Sequence, residues 1–171
     1  TNTPVPPTAT NTPVPPTATP VVEMIFADGF EAGNLAAWTT SSNPGSMSVV
    51  APPSPLVGSK SLQLTIASNT ASYLTDDKPN GESRYRARFY FDPNTISMLS
   101  GDTQYIFYGY SGTSTVVLRL EFRFFNGNYQ LRTAVLNDAA TWFNSYWFTI
   151  SDAPHFIELD WQAATAIGAN N

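Results

Sequence analysis

The chain has 171 residues, no cysteine and a formal net charge of −5, with 8 Lys and Arg against 13 Asp and Glu. Without cysteine there is no disulfide, thiolate metal site or cysteine nucleophile, and the dispersed acidic charge predicts binding to neither nucleic acid nor an anionic membrane surface. No apolar run approaches the ~20 residues of a membrane-spanning helix, so we expect no membrane insertion.

The first element along the chain is a repeat, with NTPVPPTAT at 2–10 and the same nine residues again at 11–19. Proline fixes φ near the polyproline II value and donates no backbone hydrogen bond, so the repeat predicts an extended polyproline II leader of roughly 60 Å over 1–20. Because nine residues make three whole turns of that helix, each repeat presents the same face. The leader is either a linker or a docking strip, whose contact residues would be Val5, Val14, Pro6 and Pro15.

The threonines of the leader are candidate modification sites. Thr/Pro-rich tracts of exported proteins commonly carry O-linked sugars, whereas an unmodified disordered linker is the alternative. The candidate acceptors are Thr8, Thr10, Thr17 and Thr19. The tract therefore predicts a protein that works outside the cell or on its surface.

Residues 21–171 form the second predicted unit and carry every charged side chain of the protein. Period-two patterns typical of strands lie at 22–27, 46–51, 60–67, 71–75, 83–91, 103–110, 145–150 and 155–163. Only Ala32–Ala37 and Pro93–Leu99 could form a helical turn. Many short strands with almost no helix predict an all-β fold, a two-sheet antiparallel sandwich of jelly-roll type.

The clearest pattern is a hairpin over 114–136. Asn126-Gly127 suits a two-residue type I′ turn, in which both residues need a positive φ. That turn pairs Phe124 with Tyr129, Phe122 with Leu131, Leu120 with Thr133, Leu118 with Val135 and Glu121 with Arg132. A register that matches apolar with apolar and acid with base strongly indicates this hairpin.

A row of arginines, Arg84, Arg86 and Arg88, shares one face of the strand at 83–91. Such a row could grip an anionic glycan or pair with carboxylates on a neighbouring strand. The available carboxylates are Glu121, Glu158 and Asp160. The acidic balance of the chain favours a salt-bridged, solvated face.

Three stretches together, FADGFEAGNLAAW at 26–38, YRARFYFDPN at 85–94 and DAPHFIELDWQAA at 152–164, resemble a group of bacterial exported modules with the concanavalin A-like, laminin-G-like jelly-roll fold. The resemblance implies that fold after a Thr/Pro-rich linker, but that fold hosts lectins, carbohydrate-binding modules, glycanases and structural domains. Domains of this group continue with a final hairpin past the position of Asn171. The resemblance thus implies either a truncated sequence or a sandwich without its last strands, whose open edge could accept another strand.

Catalysis is not expected. Glycanases of this fold place two carboxylates on one strand in an E-x-D-x-x-E or E-x-D-x-E pattern. Glu158 and Asp160 begin that pattern, but Gln162 and Ala163 occupy the positions of the second acid. The single histidine, His155, has no G-x-S-x-G serine to activate.

A structural calcium ion is a further hypothesis. Asp28, Glu31 and Asn34 lie close together after the first predicted strand, and oxygen atoms are the ligands that Ca²⁺ takes. The alternative is that Asp28-Gly29 forms a turn and Asn34 caps it.

The aromatic side chains are too many for one core, and Trp142, Tyr146, Tyr108 and Tyr110 are the candidate surface rings. They could stack on a polysaccharide or be covered by a partner, including the proline-rich strip. Two functions follow. The first is a non-catalytic structural module that associates with copies of itself, or with a larger surface assembly, into a fibre or sheath. The alternative is a carbohydrate-binding module on a flexible stalk.

Overall fold

The computed structural model describes residues 24–51, 56–78 and 81–166. The predicted polyproline II leader over 1–20 lies outside these residues, as do both ends of the predicted unit over 21–171. The described residues are all-β with antiparallel strand pairs throughout, which confirms the predicted fold class at that level.

Eleven strands make up the described fold. In chain order they are β1 Thr40–Ser42, β2 Met47–Val50, β3 Ser61–Leu64, β4 Tyr73–Thr75, β5 Arg84–Phe91, β6 Thr103–Ser111, β7 Thr115–Phe125, β8 Asn128–Leu136, β9 Trp142–Asn144, β10 Phe148–Ile150 and β11 His155–Gln162. Five of them form one sheet in the order β10-β8-β7-β6, with β9 also paired to β8. The pairs β5–β11, β1–β4 and β2–β3 form two-stranded sheets.

The predicted hairpin is confirmed residue by residue as β7 and β8. Phe124 pairs with Tyr129 and Glu121 pairs with Arg132, and every other pair of the predicted register is present. Asn126 has φ 49° and Gly127 has φ 80°, as a type I′ turn requires. The turn and the alternation of apolar residues thus set the register of the central strands.

The core lies between the five-stranded sheet and the β5–β11 pair. Phe122 is 1% exposed and forms a buried cluster with Leu120 and Leu131. From the second sheet, the Phe91 ring meets Phe122 at 5.0 Å between centroids, and Ile157 packs on the same cluster. Two sheets packed on a shared apolar layer are consistent with a β-sandwich.

The predicted strand over 60–67 is shortened to β3, and the predictions over 22–27 and 145–150 differ more from the structure. The strand over 22–27 is wrong for the described residues 24–27, which form no strand. There the ring of Phe26 contacts Trp38 edge-on at 4.8 Å instead, within a loop. The strand over 145–150 is reduced to β10, because Ser145 Oγ accepts the backbone N–H of Thr133 at 3.1 Å and so replaces a backbone acceptor in the ladder.

The two predicted helical turns are single hydrogen-bonded turns. Trp38 N–H donates to Leu35 at 3.1 Å, and Ile96 N–H donates to Pro93 at the same distance. The one helical element among the described residues is a 3₁₀ turn at Pro44–Ser46. Within the described ranges no helix is long and apolar enough to cross a membrane.

Candidate functional site

The outward side of the five-stranded sheet carries an unusual set of side chains. Strand alternation puts the apolar residues of β7 on the core and leaves Arg119, Glu121 and Arg123 on the other side. We call this side the arginine–aromatic face and define it by nine residues. They are Tyr105, Tyr108, Tyr110, Arg119, Glu121, Arg123, Arg132, Trp142 and Trp147.

A β-bulge brings the three tyrosines of β6 together. Strict alternation predicts that Tyr105 and Tyr108 point to opposite faces. The register shifts between Tyr105 and Phe107, so that Ile106 and Phe107 both pack on the core. Tyr105 and Tyr108 therefore share the outward face, with ring centroids 5.2 Å apart, and Tyr110 continues the row at 6.0 Å from Tyr108.

Glu121 occupies the centre of the face and is 1% exposed. Its Oε2 accepts a hydrogen bond from Arg132 Nε at 2.5 Å, and its Oε1 lies 2.6 Å from Arg119 Nε. The two arginine side chains are 19% and 26% exposed, so they shield the carboxylate from water. A buried charge of this kind is tolerated only when it is paired, as here.

The indole rings of Trp142 and Trp147, on the side of the face away from the tyrosines of β6, hold the arginines in place. The Arg119 guanidinium lies 3.9 Å from the centroid of the Trp142 ring, and the Arg132 guanidinium lies 4.4 Å from that of Trp147. Arg123 approaches the same Trp147 ring at 4.0 Å. These distances are those of cation–π contacts, which fix both the ring and the cation.

The charge of the face opposes that of the protein. Three arginines against the single carboxylate of Glu121 give the face a net charge of +2, whereas the whole chain sums to −5. Across four strands of the sheet, from β6 to β9, the face measures about 14 Å at a strand spacing of ~4.8 Å. It is a cationic surface bordered by the tyrosines of β6 on one side and by Trp142 and Trp147 on the other.

Three of the four predicted surface rings belong to this face and one does not. The structure brings Tyr108, Tyr110 and Trp142 together. Burial raises the pKa of Tyr108, so its hydroxyl stays protonated and able to donate a hydrogen bond. Tyr146 lies between β9 and β10 and is 88% exposed, with no ring contact among the described residues.

The predicted arginine row forms salt bridges on the other sheet. Arg84 binds Asp160 at 2.6 Å, and Arg88 lies 3.4 Å from Glu158. The guanidinium of Arg84 is the main cause that lowers the pKa of Asp160 to about 2. Glu121, the third predicted partner, is wrong in that role, because it belongs to the five-stranded sheet and pairs with that sheet's own arginines.

The loop that carries the calcium hypothesis is held by hydrogen bonds of its own. Asp28 accepts the Phe30 N–H at 2.8 Å and the Trp38 indole N–H at 2.9 Å. Asn34 accepts the N–H of Ala36, as expected for a local turn. These bonds account for the loop without a metal ion.

Glu31 reaches away from that loop to the segment before β3. It accepts the backbone N–H of Ser59 at 2.9 Å and is also bonded to the Ser59 hydroxyl, and these bonds lower its pKa. In the part of the chain that the structure describes, no group of three or more His, Cys, Asp or Glu side chains could hold a metal ion. The calcium site stays an untested prediction.

The predicted contact residues of the leader cannot be placed. Val5, Val14, Pro6 and Pro15, like the candidate acceptor threonines, lie outside the described residues. The docking strip and its modification therefore stay predictions.

Sequence reasoning missed the arginines of the face, together with Trp147 and Tyr105. The signal for the arginines was available, because the predicted hairpin register places Arg119, Arg123 and Arg132 on the same side as Glu121. The same reasoning could not place Tyr105 on this face, since no residue pattern in the sequence predicts the bulge. The contact of Trp147 depends on the irregular segment between β9 and β10.

Two cavities of the described structure lie away from this face. One of about 230 Å³ lies between the sheets, where Leu118 and Val135 face Leu159 and Trp161, and a wider open groove of about 1150 Å³ lies at the end of the same space. None of the nine residues of the arginine–aromatic face lines either of them.

Comparison of the chain with protein-family profiles, with curated proteins and with solved structures gives no match in any of the three.

Proposed function

We propose that this protein is a non-catalytic, extracellular carbohydrate-binding module whose arginine–aromatic face holds a polysaccharide chain. The observation that carries the proposal is the combination of ring surfaces and oriented hydrogen-bond donors on one open side of a sheet. The two sheets would belong to a concanavalin A-like jelly roll, and the Thr/Pro-rich leader would be the stalk that carries it.

The rings supply the area for stacking. A sugar ring has an apolar face of C–H groups, which packs on the face of an aromatic ring and removes both surfaces from water. Tyr105, Tyr108 and Tyr110 form a row in which each ring is between about two-fifths and one-half exposed. A row of exposed rings suits several consecutive sugars of one chain.

The polar groups between the rings supply orientation. Guanidinium groups present several N–H donors in a fixed plane, and hydroxyl oxygens accept such hydrogen bonds. Arg119 and Arg132 are held in position by Glu121 and by the indole rings, so little side-chain entropy is lost when a ligand binds.

The same arrangement argues against hydrolysis. Glu121 is enclosed by two arginines and is 1% exposed, so it has no access to a glycosidic oxygen. Glu158 and Asp160 lie on the other sheet in salt bridges. Hydrolysis by two carboxylates needs an acid and a nucleophile or base on either side of one bond, and these groups do not provide that pair.

Affinity electrophoresis tests the proposal. The protein should migrate more slowly through gels that contain at least one polysaccharide from a panel of polygalacturonate, alginate, xylan and mixed-linkage glucan. The substitution Tyr105→Ala should reduce that retardation. Tyr90→Ala is the matched control, because Tyr90 has a similar exposure, 43% against 49%, but lies on β5 of the other sheet.

Two results would count against glycan binding through this face. One is unchanged migration in every gel of the panel. The other is retardation that Tyr90→Ala reduces as much as Tyr105→Ala does.

Self-association is a second candidate, and a separate observation favours it. Phe143 and Phe148 lie on β9 and β10 opposite Val135 and Leu131, on the side that faces the core, yet they are 59% and 62% exposed. Exposed apolar rings in one patch are typical of surfaces that contact another protein. Copies of this chain could cover the patch, with the leader over 1–20 as an additional contact.

Sedimentation velocity distinguishes this candidate. Self-association predicts a sedimentation coefficient that rises with protein concentration and falls for Phe143→Ser and for a chain without residues 1–20. A single monomeric boundary at every concentration would rule it out, while leaving glycan binding unaffected.

A further inference from the structure

One arginine of the face differs from all others in its partners. Arg123 donates from Nε to Gln130 Oε1 at 2.8 Å, and its guanidinium lies over Trp147 and over Phe125 at 4.0 and 4.4 Å. Among the described residues no carboxylate lies within 4.0 Å of it, whereas the other five arginines each form a salt bridge. Its Nη1 and Nη2 groups have no hydrogen-bond partner in the described part of the chain.

Arg123 is nevertheless fixed in place. Ring contacts on two sides and one hydrogen bond determine where its guanidinium lies, and Arg132 approaches the same Trp147 ring. The side chains of Arg123 and Arg132 therefore both contact the Trp147 indole. The nearby Glu121 supplies one negative charge, which is shared between its ion pairs with Arg119 and Arg132. This part of the face has an uncompensated positive charge and donors that point at no protein acceptor.

We infer that the arginine–aromatic face selects a sugar chain that carries carboxylate groups, as uronic acids do, over the neutral chain of the same backbone. The inference rests on the proposed glycan binding and names the class of ligand. A planar carboxylate accepts two parallel hydrogen bonds from the Nη groups of one guanidinium. Arg123 makes that contact from its position beside Trp147.

Because the whole chain has a net charge of −5, binding of a polyanion is expected only at a local group of cations such as the arginine–aromatic face. An acidic protein repels a polyanion over most of its surface, so attraction has to come from a local group of cations. Arg84, Arg86 and Arg88 on the other sheet are neutralised in part by Asp160 and Glu158. Among the arginines of the described structure, Arg123 is the one that no carboxylate neutralises.

The test uses polygalacturonate and the same polymer after reduction of its carboxyl groups, at one ionic strength so that screening is equal. Titration calorimetry should show the acidic polymer bound about tenfold more tightly than the reduced one, which is the affinity that one charge-assisted hydrogen bond supplies. Arg123→Gln should remove most of that difference. Arg123→Lys keeps the charge without the planar fork and should restore part of it.

Arg88→Gln is the control, since Arg88 is an exposed arginine of the other sheet and should not change either affinity. Far-ultraviolet circular dichroism of each variant shows whether the fold is retained.

Each alternative result has a definite meaning. Equal affinity for acidic and reduced polymer overturns the inference and leaves glycan binding in place. Binding only to xylan or mixed-linkage glucan likewise overturns the inference alone, whereas binding to no polysaccharide of the panel overturns both. Tighter binding to dextran sulfate than to polygalacturonate would replace the carboxylate by a sulfate ester. Tighter binding to polyuridylate would show that the face recognises a nucleic acid, and would equally overturn the inference.

Discussion

Replacing Glu121 by glutamine tests whether the ion pairs of Glu121 stabilise the arginine–aromatic face. The substitution keeps the size of the side chain and removes the charge that holds Arg119 and Arg132. Loss of one partner from a buried ion pair costs about 3–5 kcal/mol. Because the two arginines are 19% and 26% exposed and can reach water, we expect the lower end, about 3 kcal/mol.

Urea unfolding followed by circular dichroism measures that cost. With a dependence of about 2 kcal/mol/M, the midpoint of Glu121→Gln should fall by about 1.5 M relative to the wild-type chain. Glu158→Gln is the control, because its salt bridge with Arg88 is exposed and its loss should leave the midpoint almost unchanged.

A double-mutant cycle separates the ion pair from other effects of the substitution. Once Glu121 is glutamine, a further Arg132→Gln change should cost less than it does in the wild-type chain, with a coupling energy of about 1–3 kcal/mol. Additive effects, or a midpoint of Glu121→Gln equal to that of Glu158→Gln, would show that Glu121 is not enclosed by these arginines.

Three further predictions concern the parts that support the face. The pKa of Asp160 is lowered in the folded protein, from 3.8 to about 2, so its ion pairs stabilise the fold above pH 4 and lose that effect as the pH falls through 2. Urea midpoints of wild type and Asp160→Asn should therefore differ at pH 5 and converge below pH 2, and a difference below pH 2 as large as that at pH 5 would contradict this cause. Gly127→Ala should lower the free energy of unfolding, measured by thermal unfolding, by about 1–2 kcal/mol because Gly127 has φ 80°. Gly45→Ala is the control and should change it little, because Gly45 lies at an open position where the backbone is not left-handed. Equal costs for the two substitutions would argue against the type I′ turn. Trp38→Phe keeps an aromatic ring but loses the indole hydrogen bond to Asp28, so the free energy of unfolding should fall by about 1.5 kcal/mol, and an unchanged value would mean that this bond does not hold the loop.

The sequence was sufficient where local chemistry decides the structure. The β7–β8 register follows from Asn126-Gly127 and from the alternation of apolar residues, since a shift by one residue would turn Phe122 to the solvent. The β5–β11 pair was only partly predictable, because Arg84 and Arg86 alternate with apolar residues but Asp160, which they face, was one of three carboxylates that the sequence offered as partners.

The sequence was insufficient where one side chain changes the backbone pattern. Ser145 ends a strand by taking the N–H of Thr133, and its neighbours in sequence give no sign of this. The bulge between Tyr105 and Phe107 puts Tyr105 on the same face as Tyr108 and Tyr110, which strict alternation would not do. The candidate site was therefore only half visible in the sequence, although the positions of its arginines followed from the hairpin.

The four tryptophans offer the most direct measurement of where a ligand binds. Trp142 and Trp147 lie on the arginine–aromatic face, whereas Trp38 lies in the loop beside Asp28 and Trp161 lies on β11. In a ¹⁵N-labelled protein titrated with oligogalacturonate, the indole N–H signals of Trp142 and Trp147 should shift in a saturable manner while those of Trp38 and Trp161 stay in place. Shifts confined to Trp38 or Trp161, or no shift with oligosaccharides of any polymer in the affinity panel, would contradict a glycan site on this face.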